Sequence, residues 1–138
     1  DAEGRVLHTL ADGFAQMRWA ETSEDALLIS RREVMWYDLT TGQLRHRQAA
    51  SNRQQRWIDA VLSADGQQAV LLAAKSVYAN GGFEYQQGRL YSLNATGDLR
   101  VIIPEEASST RLALMPGADH FSLIRDDQTR RYRWEDLR

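Results

Sequence analysis

One stretch of this chain is written twice. The segment Tyr37-Asp38-Leu39-Thr40-Thr41-Gly42-Gln43-Leu44-Arg45 aligns with Tyr91-Ser92-Leu93-Asn94-Ala95-Thr96-Gly97-Asp98-Leu99-Arg100, with one residue of slack. Both copies read aromatic, polar, Leu, then a turn ending in Thr-Gly, then polar-Leu-Arg. Residues 2–7 match the turn and outgoing strand alone, and residues 132–137 match the incoming strand. A second element repeats in step with the first. Residues 62–72 align with 114–124 and more loosely with 19–29, each time as a strand, a small polar turn and a more apolar strand. Self-similarity of this kind marks a repeat architecture, in which one supersecondary unit buries its apolar face against the next copy. The unit is strand, polar turn, apolar strand, turn, aromatic-bearing strand, Thr-Gly turn, outer strand.

The rest of the chain agrees with a strand-based unit. Short aliphatic and aromatic runs recur between clusters of Gly, Asp, Asn, Ser and Thr, which supply the positive φ and the side-chain-to-backbone bonds of tight turns. No long segment places apolar residues at helical spacing, so the expected class is all-β. With 138 residues, 43% of them hydrophobic, the chain is large enough to hold a core as a single domain over 1–138. The absence of cysteine removes disulfides, thiolate metal sites and thiol nucleophiles. Seventeen basic and nineteen acidic residues leave a net charge of −2 with both signs interspersed, which argues against nucleic acid or an anionic membrane surface as partner. All the basic residues but Lys75 are arginine, a bias read as the codon usage of a GC-rich bacterial genome. No apolar run reaches the roughly 18 residues of a membrane span, so contact with a membrane is expected only through a parent protein.

The turn Ser63-Ala64-Asp65-Gly66 and the run Trp36-Tyr37-Asp38-Leu39 with Thr41-Gly42 resemble the blades of β-propellers of the WD-repeat or quinoprotein-like kind. The pattern departs from them in three places: no Gly-His pair opens a blade, Trp-Tyr-Asp occurs once, and an insertion follows Lys75. The resemblance implies a propeller-like array of about three four-stranded antiparallel blades. An outer strand falls at 5–10, a first repeat at 17–50, a second at 57–105 with a hairpin inserted at 76–87, and a partial third at 112–137. Closed propellers usually have about four or more blades. The chain is therefore expected to be part of a larger propeller, or one half of a homodimer that completes the ring, or an open arc or β-sandwich.

Sites are sparse. His8, His46 and His120 stand at unrelated spacings, and no nucleophile elbow, phosphate loop or EF-hand spacing occurs. No catalytic residue, cofactor or metal ligand is expected, and the chain is read as not an enzyme. Asp126-Asp127 reads as hairpin-turn chemistry, because neighbours on a strand point to opposite faces. Arg45, Arg47, Arg53 and Arg56 form one basic cluster and Arg130, Arg131 and Arg133 another, but Glu33, Asp59, Glu135 and Asp136 dilute both. Solvated strand faces and ion pairs between blades are the expected roles. Trp36 and Trp134 occupy matching repeat positions and read as core, whereas Trp57 beside Arg56 reads as a recognition residue. In the insertion, Asn80-Gly81-Gly82 lies between Val77-Tyr78 and Phe83-Glu84-Tyr85, a strong hairpin signal. Aromatic residues on a projecting loop are unexplained by repeat packing, and loops on rigid scaffolds commonly bind. The candidate binding residues are thus Tyr78, Asn80, Phe83, Tyr85, Arg56 and Trp57; the other reading of the aromatics is that they fold back over a neighbouring blade. The expected function is a non-catalytic binding or scaffold domain that mediates protein–protein interaction within a larger bacterial envelope protein, periplasmic in the first reading and cytoplasmic in the second. The alternative is a small-ligand sensor or enzyme-associated propeller domain, such as a periplasmic part of a transport permease.

Overall fold

The computed structural model describes residues 16–50, 54–79, 81–106 and 108–137. The outer strand expected at 5–10 lies outside them. Strands β1 (Gln16–Trp19), β2 (Asp25–Ile29), β3 (Glu33–Asp38) and β4 (Gln43–Ala49) form a first antiparallel sheet in chain order. Strands β5 (Gln55–Leu62), β6 (Gln68–Ala79), β7 (Gly82–Asn94) and β8 (Leu99–Glu106) form a second in the same way. A third sheet holds β9 (Leu112–Met115), β10 (His120–Arg125) and β11 (Gln128–Arg133). The Thr-Gly turns close as their chemistry demands. Gly42 and Gly97 take φ of 74° and 95°, and Asp38 and Asn94 accept backbone N–H bonds from Thr40 and Thr96 two residues on.

The middle sheet explains the continuous apolar run of β6. Ala69, Leu71 and Ala73 pack into a core shared with Leu27, Ile29, Val34 and Trp36 of the first sheet. Val70, Leu72 and Ala74 point the other way, into a core shared with Leu112, Leu114, Phe121, Leu123 and Trp134. Strand period two therefore sends alternate residues to two different cores, and a strand buried on both faces must be apolar throughout. Each large aliphatic side chain so buried contributes about 1.5–3 kcal/mol.

One expected feature takes another form. The residues read as the last incoming strand, 132–137, leave the sheet at Arg133, and Trp134–Leu137 is a 3-10 turn. Trp134 donates its backbone N–H to Asp119 O and its indole N–H to Gly117 O, bonds that pull the chain out of strand geometry and turn the ring onto Phe121. The hairpin inserted at 76–87 is an outward continuation of β6 and β7, with pairing running unbroken from Lys75↔Gln86 to Ala79↔Gly82.

Polar contacts fix how the sheets meet. Thr22 donates its N–H and its hydroxyl to Ala64 O at 2.8 and 2.7 Å, joining the β1–β2 turn to the β5–β6 turn. Beside it Gly66, at φ 70°, lies against Ser23 and Asp25 so closely that a Cβ would overlap Ser23 Oγ and Asp25 Oδ2. That Asp25 carboxylate also accepts the indole N–H of Trp36 at 3.1 Å and the Ser23 hydroxyl at 2.7 Å, so it cannot retreat.

A single buried carboxylate links all three sheets. Asp59 on β5 accepts two bonds from Arg18 of β1 at 3.1 and 3.0 Å and the N–H of Leu114 on β9 at 2.9 Å. It also takes the N–H of Ala60 at 2.9 Å. Trp57, Ala60 and Leu62 belong to the first core whereas Ile58 and Val61 belong to the second, so strict alternation fails at Asp59. The β5–β6 register shifts at the same place. Ile58, which has no partner between Trp57↔Ala73 and Asp59↔Leu72, is the extra residue of a bulge, and the bulge aims the side chain of Asp59 between the cores.

Two stability measurements follow from these contacts. Asp59→Ala leaves the Leu114 and Ala60 N–H groups and the Arg18 guanidinium without their acceptor, and is expected to cost about 3 kcal/mol in urea unfolding. Gly66→Ala combines left-handed strain with overlap and is expected to cost about 3 kcal/mol. Gly97→Ala, whose Cβ would meet only His46 at 3.3 Å, is expected to cost about 1 kcal/mol.

Candidate interaction face

The extended β6–β7 hairpin carries most of the residues singled out in the sequence. A register shift between Ala73 and Lys75, with Gln87 at φ 54°, separates its outer part from the sheet below. Beyond the shift Tyr78 faces Phe83 as a cross-strand pair, ring centroids 5.2 Å apart at an interplanar angle of 76°. This edge-to-face geometry contributes about 0.5–1.5 kcal/mol to the tip. It does not cover the rings: Tyr78 is 66% exposed and Phe83 70%. Tyr85, lower on β7, is half-buried, packs against the second core and exchanges backbone hydrogen bonds with Ser109. Tyr85 thus braces the hairpin and Tyr78 and Phe83 stand clear of it. Asn80 lies outside the described residues.

Trp57 is a correction. Its ring is 5% exposed, meets Tyr91 edge-on at 5.6 Å and donates its indole N–H to Gln48 O at 3.2 Å, so it serves as a core residue at the junction of the first two sheets. Position at the start of a repeat suggested exposure, but the preceding sheet covers it. Arg56, its neighbour on the alternate face, is exposed. Arg56, the rim of Trp57, Ser76 and Tyr85 line one cleft of ≈220 Å³ with Ser30 and Arg31 of the β2–β3 turn. Three sequence candidates, Arg56, Trp57 and Tyr85, therefore meet at one place, while Tyr78 and Phe83 are not part of its lining.

Sequence reasoning missed two features. Arg31 sits in a turn that no repeat motif marks, and only the bond from Trp57 N–H to Arg31 O at 3.0 Å reveals that it reaches the second sheet. Trp19 is 63% exposed at the end of β1, on a concave surface with Pro116 and Gly117. A signal for it existed: the aligned positions are Leu62 and Leu114, both buried, so a large aromatic there is out of pattern.

No family model matches the chain, and no curated protein matches it. Among solved structures it is similar to oligogalacturonate lyase from Vibrio parahaemolyticus, a β-propeller, with a TM-score of 0.50 at 15% identity over 76% of this chain. The likeness, with the stacked antiparallel sheets, decides the architecture. The fold is propeller-like. The chain spans 32% of the length of that lyase, so the match is with a subset of its blades.

Within the propeller-like array several charged residues form ion pairs. Arg45 pairs with Asp25 and Asp38 inside the first blade, Arg47 with Glu33, and Arg133 with Glu135 in the third. His46 meets the next blade, its Nε2 2.7 Å from Ala95 O and its ring edge-on to Trp36. Arg53 and His8 lie outside the described residues. Asp126, at φ 54° in the β10–β11 turn, accepts the N–H of Arg111 and both the hydroxyl and the N–H of Thr110. Those bonds, led by that of Arg111, hold its carboxyl below the usual 3.8. A carboxyl more acidic folded than unfolded favours the folded state above the ordinary value, and that contribution is lost as pH falls below it. Protection of the Thr110 and Arg111 amides, measured against intrinsic exchange, is expected to fall as pH drops below 3.8 and the carboxylate is protonated. Asp126→Asn should abolish that acid-dependent step.

Proposed function

We propose that this chain is a non-catalytic binding domain, a group of blades from a larger propeller-containing bacterial envelope protein, that engages a protein partner through the tip of its β6–β7 hairpin. The observation that carries the reading is the Tyr78–Phe83 pair, two aromatic rings held in a defined geometry with most of their surface in solvent. Aromatic residues are enriched at protein interfaces, and a pair pre-ordered by its hairpin loses little side-chain entropy on binding. The brace at Tyr85 and Ser109 supports the same reading, since it fixes the base of the hairpin while Tyr78 and Phe83 remain exposed. A WD-repeat or quinoprotein-like ancestry and a periplasmic setting, as in the soluble part of a transport permease, complete the proposal. The likeness to the lyase supports the fold of this reading and says nothing about its chemistry.

The test uses the full-length parent protein in its native cell. A photo-reactive phenylalanine analogue in place of Phe83 is expected to give a discrete protein cross-link that Tyr78→Ala weakens. The same analogue in place of Val101, an exposed outer-strand residue, is the control. Tyr78→Ala and Phe83→Ala should each shift unfolding by no more than about 1 kcal/mol, because they remove exposed rings. Cross-linking at 83 no stronger than at 101 would overturn the reading.

A further inference from the structure

We infer that the groove between the first two blades, at the end that bears the hairpin, binds a small, multiply charged oxyanion held by Arg31, Arg32 and Arg56. This goes beyond the hairpin-tip reading and does not depend on it. The cleft described above adjoins a second concavity of ≈570 Å³ lined by Arg31, Arg32, Glu33 and Arg56. Both share Arg31 and Arg56, so they form one groove of the size that small-molecule sites occupy, about 300–1,000 Å³.

The fold holds these arginines in place without using their charges. Ser30 Oγ accepts the N–H groups of Arg32 and Glu33, which sets the β2–β3 turn. The carbonyls of Arg31 and Arg32 then accept N–H bonds from Trp57 and Ala50 at 3.0 and 2.7 Å, which pins the turn to its surroundings. Every one of these bonds is made by backbone or by Ser30. No described residue forms an ion pair with Arg31, Arg32 or Arg56, although Arg18, Arg45, Arg47 and Arg133 all do so. The one carboxylate in the lining, Glu33, is already paired with Arg47 at 3.4 Å. A concavity walled by one sign of charge concentrates the opposite ion, and guanidinium groups are suited to paired oxygens of carboxylate or phosphate. The concave shape, with the rim of Trp57 and Tyr85 as its apolar wall, suits a compact ligand that enters from the open side.

Calorimetric titration of the 138-residue chain with citrate and, separately, with inorganic pyrophosphate tests the inference and tells a carboxylate source from a phosphate source. At least one is expected to bind saturably with a Kd at or below about 1 mM, weakening with added salt. Arg31→Gln and Arg56→Gln should each weaken it about 10-fold or more, as expected for a lost charge-assisted hydrogen bond. Arg100→Gln, an exposed arginine on β8, should change it little. Unchanged urea midpoints in all three variants would show that folding is intact, and Tyr78→Ala should leave anion binding as it is. The inference is overturned if neither probe binds, if Arg100→Gln weakens binding as much as the others, or if only an acidic peptide or an oligonucleotide binds.

Discussion

The bond set at Asp59 is the constraint on which the arrangement of blades depends. Apolar packing between sheets is non-directional and would tolerate sliding of one sheet over the next. A carboxylate that is 3% exposed and needs Arg18, Leu114 N–H and Ala60 N–H together tolerates none, because each lost donor leaves a buried charge less compensated. The bond set therefore contributes register more than net stability, since the cost of drying the ion pair offsets much of its attraction. The bulge in β5 is the local irregularity that makes this possible, by removing one residue from the alternation between two cores.

Gly66 and Asp25 do the equivalent work where the β5–β6 turn meets the first sheet. The glycine lets the Ser63-Ala64-Asp65-Gly66 turn reach a carboxylate already held by Trp36 and Ser23. The same turn chemistry that reverses β5 into β6 thus sets the spacing of two blades. The double-sided burial of β6 joins both cores, and its small residues Ala69, Ala73 and Ala74 let both neighbours approach.

The proposed binding features sit where this packing leaves side chains unused. The β2–β3 turn is secured through backbone carbonyls, so its arginines project into a groove; the hairpin is secured at Tyr85, so its tip projects beyond the sheet. Rigid support beneath and free chemistry above is what a scaffold for recognition requires.

Much of the architecture was legible in the residues themselves. The repeated Tyr-x-Leu and Thr-Gly segments identify strand and turn because their determinants are local: period-two burial, and glycine at positive φ. The pairing of β6 with β7 on either side of the inserted turn and the turn at Asp126 were legible for the same reason. The burial of Trp57, the exposure of Trp19, the meeting of Arg31 with Arg56 and the bonds from Arg18 through Asp59 to Leu114 were not. Each depends on which face of one sheet lies against which face of another, a relation between residues far apart in the chain that no local spacing encodes. The sequence by itself determined the all-β class and the alternation of short strands with tight turns among the described residues. Only the tertiary structure decided which side chains face a neighbour and which face water, because that follows from sheet stacking and from a one-residue bulge whose effect is felt across three sheets.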